Sequence, residues 1–67
     1  ELDDIDKSII SKLSGVGGSE LQSNLQKVLG IPKATLWRHI KKLEKLGYIE
    51  IRKEGLVNRL ILKKSIK

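Results

Sequence analysis

Three stretches of the chain repeat apolar residues at the spacing of an amphipathic α-helix. They predict helices over about residues 3–13, 19–29 and 32–46. The residues on the three apolar faces are Ile5, Ile9 and Leu13; Leu21, Leu25 and Val28; and Leu36, Ile40 and Leu43. Because each face lies on one side of its helix, we expect these residues to point into a common core.

Polar residues mark the expected starts of the first two helices. Asp3 or Asp4 can cap the first helix with its side chain. Ser19 and Gln22 have the spacing of a capping box, which predicts that the second helix begins at residue 19. Backbone N–H groups at the start of this helix, over residues 19–22, are a candidate phosphate site unless Ser19 and Gln22 satisfy them.

A very short connection separates the second and third predicted helices. It consists of Gly30, Ile31 and Pro32. Gly30 suits the left-handed position that ends a helix, and Pro32 suits the first turn of the next one. A three-residue turn with glycine forces two helices to cross sharply, and this geometry is typical of a helix-turn-helix.

The residues after the third helix alternate as a β-hairpin does. Ile49 and Ile51 lie on one face of a predicted strand, and Leu60 and Leu62 face inward from its partner. Residues 54–55 are the turn signal, although the loop can extend as far as Asn58. The hairpin covers about residues 48–62. The sequence therefore predicts an α+β, mainly α fold: three helices followed by a two-stranded hairpin. Residues 63–67 are expected to form a basic tail.

Length and composition exclude several classes of protein. Sixty-seven residues predict one domain, residues 1–67, and they are too few for a deep substrate pocket, so we expect no enzyme and no catalytic residues. The chain has no Cys and a single His, His39, which we interpret as partly packed; no metal site or cofactor is expected. It begins with Glu1 and lacks Met, which predicts a domain excised from a larger protein.

The positive charge is concentrated in the second half of the chain. The net charge is +6, and residues 31–67 hold eleven bases against three acids, whereas residues 1–30 hold three bases against five acids. The third helix carries part of this charge on the side opposite its apolar face, with Arg38, Lys41 and Lys45 flanked by Lys42. A basic half favours a polyanionic partner such as nucleic acid.

Two runs of sequence resemble a known family. These are GIPKATLWRHIKKLEKLGYI at residues 30–49 and EGLVNRLIL at residues 54–62. They resemble the recognition helix and charged hairpin of archaeal and bacterial winged helix-turn-helix regulators of the MarR/ArsR/IclR-like superfamily. The resemblance covers about residues 4–62. It implies that the third helix enters the DNA major groove and that the hairpin, as the wing, contacts flanking backbone or minor groove.

The resemblance also implies which residues contact DNA. Arg38 is the candidate for a bidentate contact with guanine, and Thr35 for a thymine methyl group or a phosphate. The expected DNA-binding residues are Lys33, Thr35, Trp37, Arg38, Lys41, Lys42, Arg52, Lys53 and Arg59. Trp37 stays open, because it can stack on DNA, pack under the wing or contact another subunit. Asn58 is interpreted as a turn-stabilising residue.

The first functional hypothesis is double-stranded DNA binding in a transcriptional regulator. The alternative is a protein–protein interaction module that has kept the fold, with apolar surface at Leu56, Val57, Ile61 and Trp37. RNA binding and attachment to a membrane surface are weaker alternatives. We expect a monomer or weak homodimer, further domains in the parent chain, no small-molecule substrate, and a cytoplasmic location on the nucleoid.

Overall fold

A computed structural model describes residues 1–64 as three helices and one three-stranded sheet. The elements in chain order are α1 (Asp4–Gly15), β1 (Ser19–Leu21), α2 (Gln22–Leu29), α3 (Lys33–Lys45), β2 (Ile49–Glu54) and β3 (Val57–Leu62). This confirms the mainly helical α+β class and the order of three helices before a hairpin. The expected basic tail falls partly on residues 65–67, which lie outside the described residues.

The helical ends follow local sequence signals at α1 and α2. Asp3 and Asp6 form a reciprocal capping box: the Asp6 amide donates to Asp3 Oδ1 at 2.9 Å, and the Asp3 amide donates to Asp6 Oδ2 at 3.0 Å. At the C-terminal end of α2, Gly30 adopts φ 65°, a left-handed conformation that costs glycine no steric strain. Pro32 is the cap residue just before α3 rather than its first helical residue.

The predicted start of the second helix is wrong. Residues 19–21 form β1, which pairs antiparallel with β3 through Ser19↔Ile61, Glu20↔Leu60 and Leu21↔Arg59. The sheet therefore has three strands in the order β1-β3-β2, and the prediction of a two-stranded hairpin alone is corrected. Pairing with β3 satisfies backbone groups that an extra helical turn would otherwise have satisfied.

The capping box expected at Ser19 and Gln22 is therefore absent. The residue before α2 is Leu21, and its side chain cannot cap a helix. Instead, Glu20 Oε1 accepts hydrogen bonds from the Leu21 amide at 2.8 Å and from Asn24 Nδ2 at 3.1 Å. The expectation of a phosphate site at residues 19–22 is also wrong, because residues 19–21 belong to a strand and are not the first turn of a helix.

The core lies between the three helices and one face of the sheet. Its buried side chains are Ile9, Ile10, Leu13, Leu25, Leu36, Ile40, Leu43, Ile49 and Leu60. The expectation that Leu21 and Val28 point into this core is wrong: Leu21 lies in β1 outside the cluster, and Val28 is 60% exposed. The inward-facing positions predicted for the hairpin are confirmed, since Ile51 and Leu62 pack against this cluster. Within residues 1–64, no helix combines the length and apolar character needed to cross a membrane.

The hairpin closes through a two-residue loop, Gly55 and Leu56. Glu54 and Val57 are the last paired residues on either side of it. Gly55 has φ 63°, which a two-residue hairpin turn requires at its first central position and which favours glycine. The turn therefore explains Gly55 and places no comparable demand on Leu56.

Candidate nucleic-acid interface

The outer side of α3 is exposed and basic. Lys33, Ala34, Arg38, Lys41 and Lys45 are exposed along it. The opposite side of the helix is completely buried in the core, as the sequence pattern predicted. The helix is thus held by its apolar side and presents the other side to solvent.

The predicted DNA-binding cations divide into paired and unpaired side chains. Lys33, Arg38 and Lys53 are exposed and form no ion pair with any acid in the described part of the chain, residues 1–64. Four others each lie within 4.0 Å of a carboxylate; they are Lys41, Lys42, Arg52 and Arg59. An unpaired exposed cation can approach a phosphate without first giving up a protein contact.

Trp37 is a packing residue along part of its surface. It is half-buried and packs against the core. The Lys41 Nζ atom lies 5.7 Å from the centre of its ring, within the range of a cation–π contact, and 3.0 Å from Glu44 Oε1. Packing of Trp37 against the core is observed, whereas packing under the wing, a subunit contact and a contact with DNA stay predictions.

Lys42 and His39 join α3 to α1 through a buried carboxylate. Asp6 is 0% exposed. Its Oδ1 atom lies 2.7 Å from His39 Nδ1, and its Oδ2 atom accepts a hydrogen bond from Lys42 Nζ at 2.6 Å. The Lys42 side chain is 38% exposed, so this pair lies at the edge of the core. The contact fixes the position of α3 on α1.

The charge state of Asp6 follows from these contacts. Burial by itself raises the pKa of a carboxyl group, but the hydrogen bonds from Lys42 and His39 outweigh it and lower the pKa of Asp6 below its ordinary value. The same contact raises the pKa of Lys42. Asp3, Asp6 and His39 bring potential metal ligands within 4.8 Å of one another, but the Lys42 ammonium group occupies one Asp6 oxygen and would repel a cation there.

The hairpin divides its cations between two faces. Lys53 and Asn58 are paired across the strands on the face that carries Ile51 and Leu60 toward the helices, because alternate residues share a face. Asn58 Nδ2 donates to Gln22 Oε1 at 3.0 Å. Asn58 is therefore structural, as interpreted from the sequence, but it ties the hairpin to α2 instead of stabilising its own turn.

Arg52 and Arg59 lie opposite each other on the outer face of the hairpin. Arg52 Nη2 is 3.0 Å from Glu50 Oε2, and its hydrogen bond lowers the pKa of Glu50. Arg59 Nε is 3.0 Å from Glu54 Oε1, and Arg59 Nη1 donates to Ser19 Oγ at 3.2 Å. Arg59, on β3, therefore connects Glu54 at the end of β2 with Ser19 of β1. Contacts to β1 and α2 together set the position of the hairpin beside the helices.

A shallow concavity of about 190 Å³ lies between the hairpin tip and the first turns of α2 and α3. Its lining residues are Gln22, Ser23, Gln26, Lys33, Leu56, Val57 and Asn58. The lining has one cation and no acid. We call this feature the tip concavity.

A model of the winged helix-turn-helix DNA-binding family matches residues 2–50. This chain belongs to that family. The match covers most of the 67 residues, including all three helices. No curated protein matches the chain. In this winged helix-turn-helix domain, α2 and α3 with the turn between them form the helix-turn-helix, and β2 and β3 form the wing.

The family assignment confirms the fold expected from residues 30–49 and the DNA-binding class. The matched range ends at Glu50, near the start of β2, so the wing lies mostly beyond it. The narrower likeness to MarR/ArsR/IclR-like regulators stays a prediction.

Sequence reasoning missed the residues that connect one element to another. Asp6 was not singled out, although its spacing from Asp3 is that of a capping box. His39 and Lys42 are three residues apart on α3. Residues at this spacing lie on the same side of a helix, so both can face one partner on another helix. Gln22 carried no signal of its contact with Asn58, which lies 36 residues away in the chain.

Proposed function

We propose that this domain binds double-stranded DNA with α3 in the major groove and the wing on flanking backbone or minor groove, as the DNA-binding part of a transcriptional regulator. The observation that carries this proposal is the exposed outer side of α3, with Lys33 and Arg38 free of acidic partners within residues 1–64, in a chain of a DNA-binding family. A major groove about 12 Å wide admits one helix, and the outer side of α3 is available for that contact.

The residues of α3 divide by the contact each can make. Arg38 can donate two parallel hydrogen bonds to the O6 and N7 atoms of guanine. Thr35 offers a methyl group and a hydroxyl near the start of the helix. Lys33 and Lys41 are suited to phosphates, which contribute affinity without sequence information. Lys41 must leave Glu44, from which it is 3.0 Å distant, or share it.

We assign Lys42 a positioning role in this function. Its ammonium group is hydrogen-bonded to the buried Asp6, and moving it to a phosphate would leave that carboxylate short of a cation. Within the wing, Lys53 has no acidic partner in the described range, whereas Arg52 and Arg59 each have one. We therefore expect Lys53 to contribute more to phosphate binding than either arginine.

Fluorescence anisotropy with a labelled mixed-sequence duplex tests the proposal. About six phosphate contacts predict a slope near −5 in a plot of log K against log salt concentration. Arg38→Ala is expected to cost about 1–3 kcal/mol of binding free energy and to relax specificity at one base position. Lys12→Ala is the matched control, since it removes an exposed cation of α1 away from the proposed interface, and it should leave affinity nearly unchanged.

An amide NMR titration separates this function from the alternative. Shifts concentrated at residues 33–42 and 52–59 that fade as salt is added support groove binding by α3 and the wing. If no amide shifts at low salt, DNA binding is wrong, and a protein partner at Trp37 and the wing becomes the hypothesis to test. Equal losses for Arg38→Ala and Lys12→Ala would show that only general charge attracts the duplex.

A further inference from the structure

We infer that Leu56, at the tip of the wing, is an apolar wedge that enters the minor groove of the bound duplex. This rests on the proposed DNA binding and adds a residue and a mode of contact to it. None of the nine expected DNA-binding residues lies at the tip itself. In this role Leu56 contacts the floor of a groove through its shape and contributes no charge.

The exposure of Leu56 is the first observation. Leu56 is 102% exposed, the largest value among the exposed apolar residues of the described chain. Val57 beside it is 41% exposed. A leucine left entirely in water contributes nothing to the core, and the core is complete without it. Burial of that side chain against a partner would remove apolar surface from water, which is favourable.

The turn gives no reason for leucine at this position. Gly55 supplies the positive φ that the two-residue loop needs, while Leu56 has a negative φ that almost any residue can adopt. Polar residues such as Asn, Ser or Asp are preferred in such turns, because their side chains hydrogen-bond to the nearby backbone. The choice of leucine is therefore not explained by folding of the hairpin.

The surroundings of Leu56 favour an anionic partner over an apolar one. Leu56 lines the tip concavity together with Lys33, and that lining contains no acidic residue. Lys53 is exposed three residues away on β2. A protein partner that only needed an apolar contact would gain nothing from these cations, whereas a duplex has phosphates on both sides of its minor groove.

The geometry of the tip suits the minor groove. A single side chain on a two-residue loop is narrow, and the groove is only about 6 Å wide. With α3 in the major groove, one sugar–phosphate strand must pass between α3 and the wing. The tip concavity lies between the first turn of α3 and the wing tip, and its polar lining with Lys33 suits that strand. Leucine is one of the residues that proteins insert at base steps from the minor groove.

Inosine substitution provides a direct test. Replacing every guanosine of a 20-base-pair duplex with inosine removes the 2-amino group from the minor groove and leaves the major-groove pattern unchanged. That amino group is polar and projects from the groove floor, so it opposes an apolar wedge. The protein is expected to bind the inosine duplex about fivefold more tightly than the guanosine duplex, and Leu56→Ala should bind both equally.

Matched variants keep the test specific. Leu56→Ala is expected to lower affinity for the inosine duplex about fivefold to tenfold without changing the salt slope, since no charge is removed. Val28→Ala is the control: Val28 is 60% exposed on α2 and does not line the tip concavity. It should behave as the unmodified protein does. The circular dichroism spectra of both variants should match that of the unmodified protein, because neither residue belongs to the core.

Each result decides between the possibilities. If the unmodified protein binds duplexes but Leu56→Ala shows the same affinities and the same inosine preference, the wedge is wrong and DNA binding stands. If all three proteins share that preference, it comes from the flexibility of the inosine duplex, and the wedge is again wrong. If sedimentation shows self-association that Leu56→Ala abolishes, Leu56 contacts a second copy of the chain, and the wedge is wrong. If no duplex binds at low salt, the proposed function itself fails.

Discussion

Replacement of Asp6 by asparagine tests whether the buried carboxylate holds α1 and α3 together. Asparagine keeps the size of the side chain and removes only its charge. It can still accept one of the hydrogen bonds from His39 and Lys42, but its amide NH₂ then faces the other donor. It also weakens the capping box, because the Asp6 carboxylate accepts from the Asp3 amide at 3.0 Å.

The expected loss follows from the number and exposure of these contacts. A hydrogen bond to a charged group contributes about 1.5–3 kcal/mol when it is shielded from water, and a capping contact about 1 kcal/mol. Because Lys42 is partly exposed and regains hydration when released, its bond is worth less than the shielded value. We expect Asp6→Asn to lower the free energy of unfolding by about 2–3 kcal/mol. For a domain of this size, that corresponds to a fall in Tm of about 10–20 °C.

Thermal unfolding at pH 7, followed by circular dichroism, measures this change. Asp4→Asn is the matched control: Asp4 lies in the same first turn of α1 and is exposed. Its charge interacts favourably with the helix dipole, so the control should cost less than about 1 kcal/mol. The reasoning is refuted if the two variants lower Tm equally, since the buried contacts of Asp6 would then contribute nothing beyond a charge in the first turn.

Two further predictions concern pH and the backbone. The pKa of Asp6 is lowered in the folded state, so its contribution to stability is complete above its unfolded-state pKa of about 4 and is lost as pH falls through the lower folded-state value. The difference in Tm between the unmodified protein and Asp6→Asn should therefore shrink on titration from pH 7 toward pH 2. A constant difference would contradict this role of Asp6. Gly30→Ala is expected to lower the free energy of unfolding, measured by chemical denaturation, by about 1 kcal/mol, since alanine is strained at φ 65°. Gly15→Ala is the control and should be neutral or stabilising, because Gly15 has a negative φ at the end of α1 and open space around it.

The helices illustrate which features a sequence carries locally. The buried side of α3 repeats with helical period, and its exposed side is polar, so both its extent and its orientation follow from the pattern. The turn at residues 30–32 is equally local, because Gly30 determines where α2 ends. These two features fix the helix-turn-helix, and they also locate the basic side of α3.

β1 illustrates what the pattern could not show. It has three residues, too few for an alternation to be recognised, and polar signals at Ser19 and Gln22 indicated a helix instead. The backbone of residues 19–21 becomes extended because β3, about 40 residues later in the chain, offers it hydrogen-bond partners. A long-range pairing of this kind overrides a local capping preference.

The candidate DNA-binding residues show the same division. Their number and charge are properties of the sequence, and Lys33, Arg38 and Lys53 are exposed as a basic surface requires. Which cations are already paired depends on contacts between elements: Lys42 reaches Asp6 on α1, and Arg59 reaches Ser19 on β1. Spacing along one helix shows that two residues can face the same partner, but it does not identify which distant residue that partner is.

The sequence by itself determined the three helices, the sharp turn before α3, the hairpin and the basic side of the third helix, because each depends on residues a few positions apart. Only the tertiary structure decided that a third strand joins the sheet, that Asp6 binds two residues of α3, and that Leu56 is fully exposed beside a concavity whose lining contains no acid. The physical reason is that hydrogen bonds, burial and charge pairing between distant segments depend on where the packed core brings those segments together.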